Sequence, residues 1–242
     1  MNLKELNFDL FYKRWALIAS IVHGVCLILV IFLNGPAVFW GITSLLLFSI
    51  YIVKMAYHIP SLPLWVGYAN WVSIFRLICI LCLFSFHPNV KEIYLFWGFL
   101  GAILLDGVDG FLARRFNQAS RVGEILDMEI DAFMVLVLSW MHFNQENTHW
   151  SILIPGSLKY IHEIVVYFVP AKEKEIIPKR VRSTIAVIFF LTLLIPFITK
   201  QYFALIILYI SGVLIIISFC LSFYGKIVPQ ENSFDNFIKR KS

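Results

Sequence analysis

Long apolar runs restrict this chain to very few folds. The first run, residues 15–33, contains no aspartate, glutamate, lysine or arginine, and several runs of similar character follow it. Hydrophobic residues make up 60% of the sequence and charged residues only 14%, whereas a soluble domain carries roughly 25% charged residues. Because a segment in lipid must satisfy its own backbone hydrogen bonds, such runs predict transmembrane α-helices. The chain is therefore predicted to be all-α, a polytopic membrane helical bundle.

The apolar runs predict about eight transmembrane helices. They cover residues 15–33, 37–55, 71–86, 93–115, 123–143, 150–169, 184–198 and 202–224. The fourth run is apolar only as far as residue 105, which is short of the roughly 20 residues that a crossing needs. Its helix must therefore continue through Asp106 toward Arg115. Residues 57–69 contain two prolines and a tryptophan, and we expect them to lie at the membrane interface.

The basic residues before the first run are also typical of a cleaved signal peptide. The run is long for a signal sequence, and the segment that begins at Asn34 is a poor cleavage site. A retained first helix is the favoured prediction.

Basic residues indicate the orientation of the helices. Lysine and arginine cluster near the N-terminus, at Lys54, at 114–121, at 172–182 and near the C-terminus. With eight crossings all five clusters fall on one side, which the positive-inside rule predicts to be cytoplasmic. We therefore expect an integral protein of the cytoplasmic (inner) membrane, with both termini and residues 106–131 on the cytoplasmic side. The net charge of +5 suits a lipid bilayer with anionic headgroups and no nucleic acid partner.

Residues 106–131 concentrate carboxylates at the end of an apolar helix. Asp106 and Asp109 share one helical face, and Asp127 and Asp131 share a face of the next helix. A turn within 115–122 would make the helices antiparallel and bring these four carboxylates, the four motif aspartates, together. Like charges at a membrane edge need compensation, and carboxylate oxygens suit hard cations such as Mg²⁺, Mn²⁺ or Ca²⁺. The spacing predicts a two-metal site, a common device for displacement at phosphorus.

The four motif aspartates belong to a longer pattern, D-x2-D-G-x2-A-R-x8-G-x3-D-x3-D. This pattern resembles the signature of the CDP-alcohol phosphatidyltransferases, and every fixed position is filled. Those positions are Asp106, Asp109, Gly110, Ala113, Arg114, Gly123, Asp127 and Asp131. The resemblance covers about residues 65–224 and implies a six-helix core. The predicted organisation is a two-helix transmembrane extension (1–60), the core (61–228) and a cytoplasmic tail (229–242).

The resemblance also implies an activity and a set of site residues. The activity is transfer of a phosphatidyl or related phosphoalcohol group from a CDP-alcohol, with CDP-diacylglycerol favoured, to an acceptor hydroxyl, releasing CMP. Two Mg²⁺ or Mn²⁺ ions would be held by the four motif aspartates, with Asp131 as general base. A homodimer is implied as well. The residues expected to bind the CDP-alcohol are Asn70, Ser73, Gly110, Ala113, Arg114 and Ser120.

Asn70, Ser73 and Arg76 recur every three residues at the start of the third run. Their spacing is similar to the family's N-x-x-T-x-x-R stretch, with serine in the threonine position. The alternative is a helix cap followed by an arginine that extends its head group to the membrane surface.

Three basic residues are predicted to bind the acceptor: Lys159, Arg180 and Arg182. Arginine binds phosphate bidentately, so glycerol 3-phosphate is the favoured acceptor, and the sequence around Arg180 has a weak similarity to bacterial phosphatidylglycerophosphate synthases. Lys159 could instead pair with Glu163, four residues further on. The arginines could equally serve the positive-inside rule alone.

Other functions remain open at the level of the sequence. The acceptor could be serine or inositol phosphate, or the protein could be a phosphotransferase that uses CDP-choline or CDP-ethanolamine with a diglyceride. From a different class, a cation transporter would explain acids between helices. A transporter would not explain the spacing of glycine, alanine and arginine among those acids.

Overall fold

A computed structural model of the chain describes residues 3–33, 37–58, 68–116, 120–144, 148–168, 178–199 and 202–227. Within these ranges the chain forms α-helices and short 3-10 turns, with no strand. The α-helices are α1 (Leu3–Leu33), α2 (Ala37–His58), α3 (Tyr68–Phe86), α4 (Glu92–Arg115), α5 (Arg121–Phe143), α6 (Leu153–Phe168), α7 (Lys179–Leu194) and α8 (Tyr202–Ile227). The predicted all-α membrane bundle is confirmed. The predicted tail and most of the predicted interfacial connector lie outside the described residues.

Five of the described helices are long and apolar enough to cross a membrane. These helices are α1, α2, α3, α4 and α8. The prediction that α4 continues past residue 105 is confirmed, because its helix runs without a break to Arg115. Helix α5 is as long but carries several acids, and α6 and α7 are shorter. That these three also span the membrane stays a prediction.

The helix ends follow from local chemistry. Ser120 has an extended backbone, and its hydroxyl accepts a hydrogen bond from the Gly123 amide at 3.1 Å, which caps the start of α5. Helix α7 begins directly after Pro178, whose carbonyl accepts hydrogen bonds from the amides of Val181 at 3.0 Å and Arg182 at 3.3 Å. Pro88 and Pro196 lie in the 3-10 turns that follow α3 and α7, where proline cannot continue the α-helical hydrogen bonds.

Helix α5 lies at the centre of the bundle. It packs against α3, α6 and α7, and nearly every residue of its C-terminal half is buried. The contact with α6 depends on Gly156, where an added Cβ would lie 2.6 Å from the Cβ of Ser139 on α5. The central helix therefore contributes to the core of the bundle and, in its first half, carries Asp127 and Asp131.

Aromatic rings join the first two helices to this core. Trp40 on α2 contacts Phe84 on α3 edge-to-face at 5.2 Å between ring centroids, and Trp140 on α5 at 6.1 Å. Its indole nitrogen donates a hydrogen bond to His23 of α1 at 3.1 Å. Helix α1 packs along α6. The N-terminal helices therefore pack directly on the rest of the bundle.

A buried ion pair strengthens the attachment of α1. Lys159 on α6 pairs with Glu129 on α5, and the side chain of Glu129 is only 2% exposed. The Tyr12 hydroxyl of α1 donates a hydrogen bond to the same carboxylate at 2.8 Å. Three helices thus meet at one buried carboxylate.

Removal of one partner of this pair should destabilise the protein more than removal of both. Lys159→Met leaves the buried Glu129 carboxylate without its cation, and breaking a buried ion pair costs about 3–5 kcal/mol. The double variant Glu129→Met with Lys159→Met has no buried charge to compensate, and its unfolding temperature should lie above that of Lys159→Met. Thermal unfolding in detergent measures both. A double variant that loses the sum of the two single effects would contradict this account.

Candidate active site

The four motif aspartates meet where the end of α4 faces the start of α5. Asp106 and Asp109 lie in the C-terminal part of α4, and Asp127 and Asp131 lie in the first half of α5. One carboxylate oxygen from each of Asp106, Asp109 and Asp127 lies within 4.8 Å of the others. The helical faces predicted from the spacing therefore do face one another.

Arg76 of α3 lies among these acids. Its side chain is 0% exposed, and its guanidinium lies 2.6 Å from Asp127, 3.2 Å from Asp131 and 3.9 Å from Asp109. It also pairs with Asp106. The alternative of an arginine that reaches the membrane surface is wrong, because the burial of Arg76 forbids it.

Sequence reasoning did not identify Arg76 as a site residue. One sequence signal could have identified it: Arg76 follows Ser73, a predicted binding residue, by three positions and so lies on the same face of α3. In the structure the Ser73 hydroxyl donates a hydrogen bond to Asp109 at 2.8 Å. Two polar side chains from one helix thus reach the same group of acids. A buried arginine also needs several acceptors, and the four motif aspartates were the obvious source.

A cavity of about 580 Å³ opens beside the acids. Asp109 and Asp127 lie in its wall, and so do all six residues predicted to bind the CDP-alcohol. The remaining lining residues, which sequence reasoning did not assign to binding, are Arg121, Gly123 and Glu124. The structure therefore brings the predicted binding residues and two of the four motif aspartates to one cavity wall, whereas Asp106 and Asp131 are not among the lining residues.

Gly123 allows the close approach of α3 and α5 at this cavity. A Cβ at this position would lie 3.0 Å from the Asn70 side-chain oxygen and 3.3 Å from the Ser120 hydroxyl. Both distances are tighter than ordinary van der Waals contact. The glycine of the pattern thus keeps Asn70 and Ser120 at the same wall.

The acids fit a cation-binding role. Four carboxylates face a single guanidinium in this group, which leaves an excess of negative charge beside the membrane. The side chains of Asp106, Asp127 and Asp131 are 39%, 37% and 32% exposed, so cations can reach them. Clustered carboxylate oxygens are the ligands that hard divalent ions prefer, and the group could hold a metal ion.

Two of the three residues predicted to bind the acceptor contact other side chains of the bundle. The Arg182 guanidinium of α7 donates a hydrogen bond to the Ser222 hydroxyl of α8 at 3.1 Å. Lys159 pairs with Glu129, a residue that sequence spacing could not connect to it. The side chain of Arg180 lies outside the described residues.

Comparison with known proteins identifies similar sequences. The family profile described as CDP-alcohol phosphatidyltransferase matches residues 65–223, from just before α3 to the end region of α8. No solved structure matches.

Three curated relatives illustrate the similarity. A Candida albicans CDP-diacylglycerol–inositol 3-phosphatidyltransferase is 34% identical over 110 residues, 43% of this chain and 44% of that protein. A CDP-diacylglycerol–glycerol-3-phosphate 3-phosphatidyltransferase of Blochmanniella floridana is 33% identical over 108 residues, 40% of this chain and 52% of that protein. One of the same name from Salmonella choleraesuis is 30% identical over 122 residues, 46% of this chain and 58% of that protein. The chain spans about half the length of the curated relatives it matches.

Proposed function

The chain belongs to the CDP-alcohol phosphatidyltransferase family, and from this membership we propose that it transfers a phosphatidyl group from CDP-diacylglycerol to glycerol 3-phosphate, releasing CMP. The observation that carries the proposal is the shared cavity, whose wall contains both Asp109 and Asp127 and the residues expected to bind the donor. A cavity beside the end of α4, at the edge of an apolar span, suits a lipid donor and a water-soluble acceptor.

We propose that the cavity binds the CDP moiety of the donor. Arg114 supplies positive charge to its phosphates, and Asn70, Ser73 and Ser120 supply hydrogen-bonding groups at the same wall. Gly110 and Ala113 leave room for a phosphorylated group to approach α4 closely. These residues hold and orient the donor but do not exchange protons with it.

The chemical step requires a base and stabilisation of the leaving group. Two divalent cations, Mg²⁺ or Mn²⁺, held by the four motif aspartates, would neutralise negative charge on the pyrophosphate. The Asp131 carboxylate takes the proton of the acceptor hydroxyl, which is a poor nucleophile at neutral pH. The acceptor oxygen then forms a bond to the phosphorus that carries the diacylglycerol. The bond from that phosphorus to the bridging oxygen of CMP breaks, and CMP leaves.

The acceptor is assigned to the arginines at the start of α7. Arg180 and Arg182 offer guanidinium groups that match a phosphate. Lys159 is held by Glu129, so we assign it to helix packing and leave the acceptor phosphate to the two arginines. The names of the Blochmanniella and Salmonella relatives, which specify glycerol 3-phosphate, support this choice of acceptor.

We also propose a location and an assembly. Arg114, Arg115 and Arg121 lie at the same end of α4 and α5 as the acids, which favours a cytoplasmic site in the inner membrane by the positive-inside rule. Family membership supports a homodimer.

An acceptor screen tests the proposed function. The full-length chain in detergent is supplied with labelled CDP-diacylglycerol, Mg²⁺ or Mn²⁺, and glycerol 3-phosphate, inositol, inositol phosphate or serine in turn. Formation of CMP and a labelled lipid with glycerol 3-phosphate alone is the expected result. Inositol is the acceptor in the Candida relative's name. A labelled product formed with inositol would overturn glycerol 3-phosphate as the acceptor but leave the proposed type of reaction standing. A reaction of CDP-choline with a diglyceride, and none with CDP-diacylglycerol, would overturn the proposed donor.

Arg182→Ala should raise the KM for glycerol 3-phosphate about 10- to 100-fold, the scale of one lost hydrogen bond to a charged group. Donor binding should change little, because the contact is to the acceptor alone. Steady-state kinetics with each substrate varied separately measure the difference. Arg115→Ala is the matched control, since it removes an exposed arginine at the end of α4 and should leave both KM values unchanged. An equal change for both substrates in Arg182→Ala would show that Arg182 only supports the fold.

A further inference from the structure

Arg76 is the most buried charged group beside the proposed active site. Its side chain is 0% exposed, whereas those of Asp106, Asp127 and Asp131 are each about one-third exposed. Among the described residues that line the cavity, Arg76 does not appear, while Asp109 and Asp127 do. The guanidinium therefore contacts the acids from the interior of the bundle and is not part of the cavity lining.

The contacts of Arg76 divide evenly between two helices. Its Nη1 pairs with Asp106 and lies 3.9 Å from Asp109, both on α4, and its Nη2 lies 2.6 Å from Asp127 and 3.2 Å from Asp131, both on α5. A planar guanidinium has a fixed fork geometry. One side chain of α3 thus sets the spacing between the acids of α4 and those of α5.

Each contact with Arg76 involves one oxygen of each carboxylate. These are Oδ1 of Asp106, Asp127 and Asp131, and Oδ2 of Asp109, and the same Oδ2 accepts the hydrogen bond from Ser73. All four contacts therefore come from one guanidinium, whose two terminal nitrogens each contact the acids of a different helix.

We propose that Arg76 is the positioning residue of the metal site: its guanidinium holds the acids of α4 and those of α5 at the spacing at which they would bind the divalent ions together. The assignment rests on the proposed function, because it requires that the acids hold metal. The rival role is a cation that competes with the metal for the same oxygens. The two roles predict opposite changes in metal affinity when Arg76 is replaced.

Direct binding of Mn²⁺ to the full-length chain in detergent, followed by electron paramagnetic resonance, tests the proposal without relying on turnover. Arg76→Lys keeps the positive charge but lacks the fork that spans both helices, and it should bind Mn²⁺ about 10- to 100-fold more weakly than the unaltered chain. Arg76→Met should bind it more weakly as well. Glu129→Gln is the matched control, because it weakens a buried ion pair elsewhere on α5, and it should bind Mn²⁺ with unchanged affinity.

Tighter Mn²⁺ binding by Arg76→Met would show competition and overturn the proposal, and so would unchanged affinity in Arg76→Lys. If Arg76→Met does not fold, Arg76→Lys decides alone. A Glu129→Gln affinity that falls as far as that of Arg76→Lys would also overturn it, since the loss would then reflect general destabilisation. If the unaltered chain binds Mn²⁺ and releases CMP while the Arg76 variants bind normally, only the role of Arg76 fails. An unaltered chain that binds no Mn²⁺ would overturn the metal site itself.

Discussion

Chelation of divalent cations should abolish CMP release from CDP-diacylglycerol, and added Mg²⁺ or Mn²⁺ should restore it. In the described part of the active site, four carboxylates face the Arg76 guanidinium. Arg114 in the cavity wall adds one positive charge, so these two arginines cannot neutralise both the acids and an incoming pyrophosphate. Without cations the donor's phosphates would meet excess negative charge in a site of low dielectric. CMP release measured with excess chelator, and again after each metal is added back, provides the test.

Two substitutions locate this metal dependence in the motif. Asp109→Asn and Asp127→Asn keep the side-chain shape but remove a charged ligand, and each should reduce turnover to background while the protein remains folded in detergent. Glu92→Gln, at the opposite end of α4 from the acids, is the matched control and should keep full activity. Full activity of the unaltered chain in excess chelator, or near-normal rates in both aspartate variants, would rule out the metal site.

Asp131→Asn should lower the rate of transfer by about 100-fold or more, the usual scale of general-base catalysis, while the protein still binds CDP-diacylglycerol. Asparagine keeps an oxygen beside the Arg76 guanidinium, which lies 3.2 Å from the Asp131 carboxylate, but it cannot take the proton of the acceptor hydroxyl. Turnover is measured with saturating glycerol 3-phosphate, and donor binding is measured separately with labelled CDP-diacylglycerol.

Donor binding distinguishes the two possible roles of Asp131. Asp127→Asn is the comparison, because Asp127 lies in the cavity wall and its loss should weaken donor binding through the lost cation. An Asp131→Asn variant that loses donor binding to the same extent would make Asp131 chiefly a metal ligand. The base would then be another group.

Most of the helices could be predicted because lipid requires long apolar segments. The predicted helix ends were less accurate where a helix extends beyond its apolar run. Helix α7 begins at Lys179 rather than near residue 184, because its first turn is basic and an apolar window excludes it. Helix α5 begins at Arg121, two residues before the predicted start, because Ser120 caps it. Hydropathy marks what faces lipid, whereas capping determines where a helix begins.

The site was predictable only as far as local spacing reaches. The faces of α4 and α5 follow from the positions of their acids along each helix. Arg76, by contrast, is 30 positions from Asp106 and 51 from Asp127, and its role depends on how α3 packs between them. The Lys159–Glu129 pair likewise depends on the α5–α6 contact. Helical periodicity in the sequence indicates neither the partners of Arg76 nor the partner of Lys159.

The central position of α5 has a consequence for biosynthesis. A ribosome makes the chain from its N-terminus, so Arg76 is synthesised well before Asp127 and Asp131, and Tyr12 precedes its partner Glu129 by 117 positions. An isolated guanidinium is costly inside a bilayer, and only the acids of α4 are available to it at first. We expect α3 and α4 to leave the translocon as a pair. A nascent chain that stalls before α5 would leave Arg76 with only two of its four carboxylate partners.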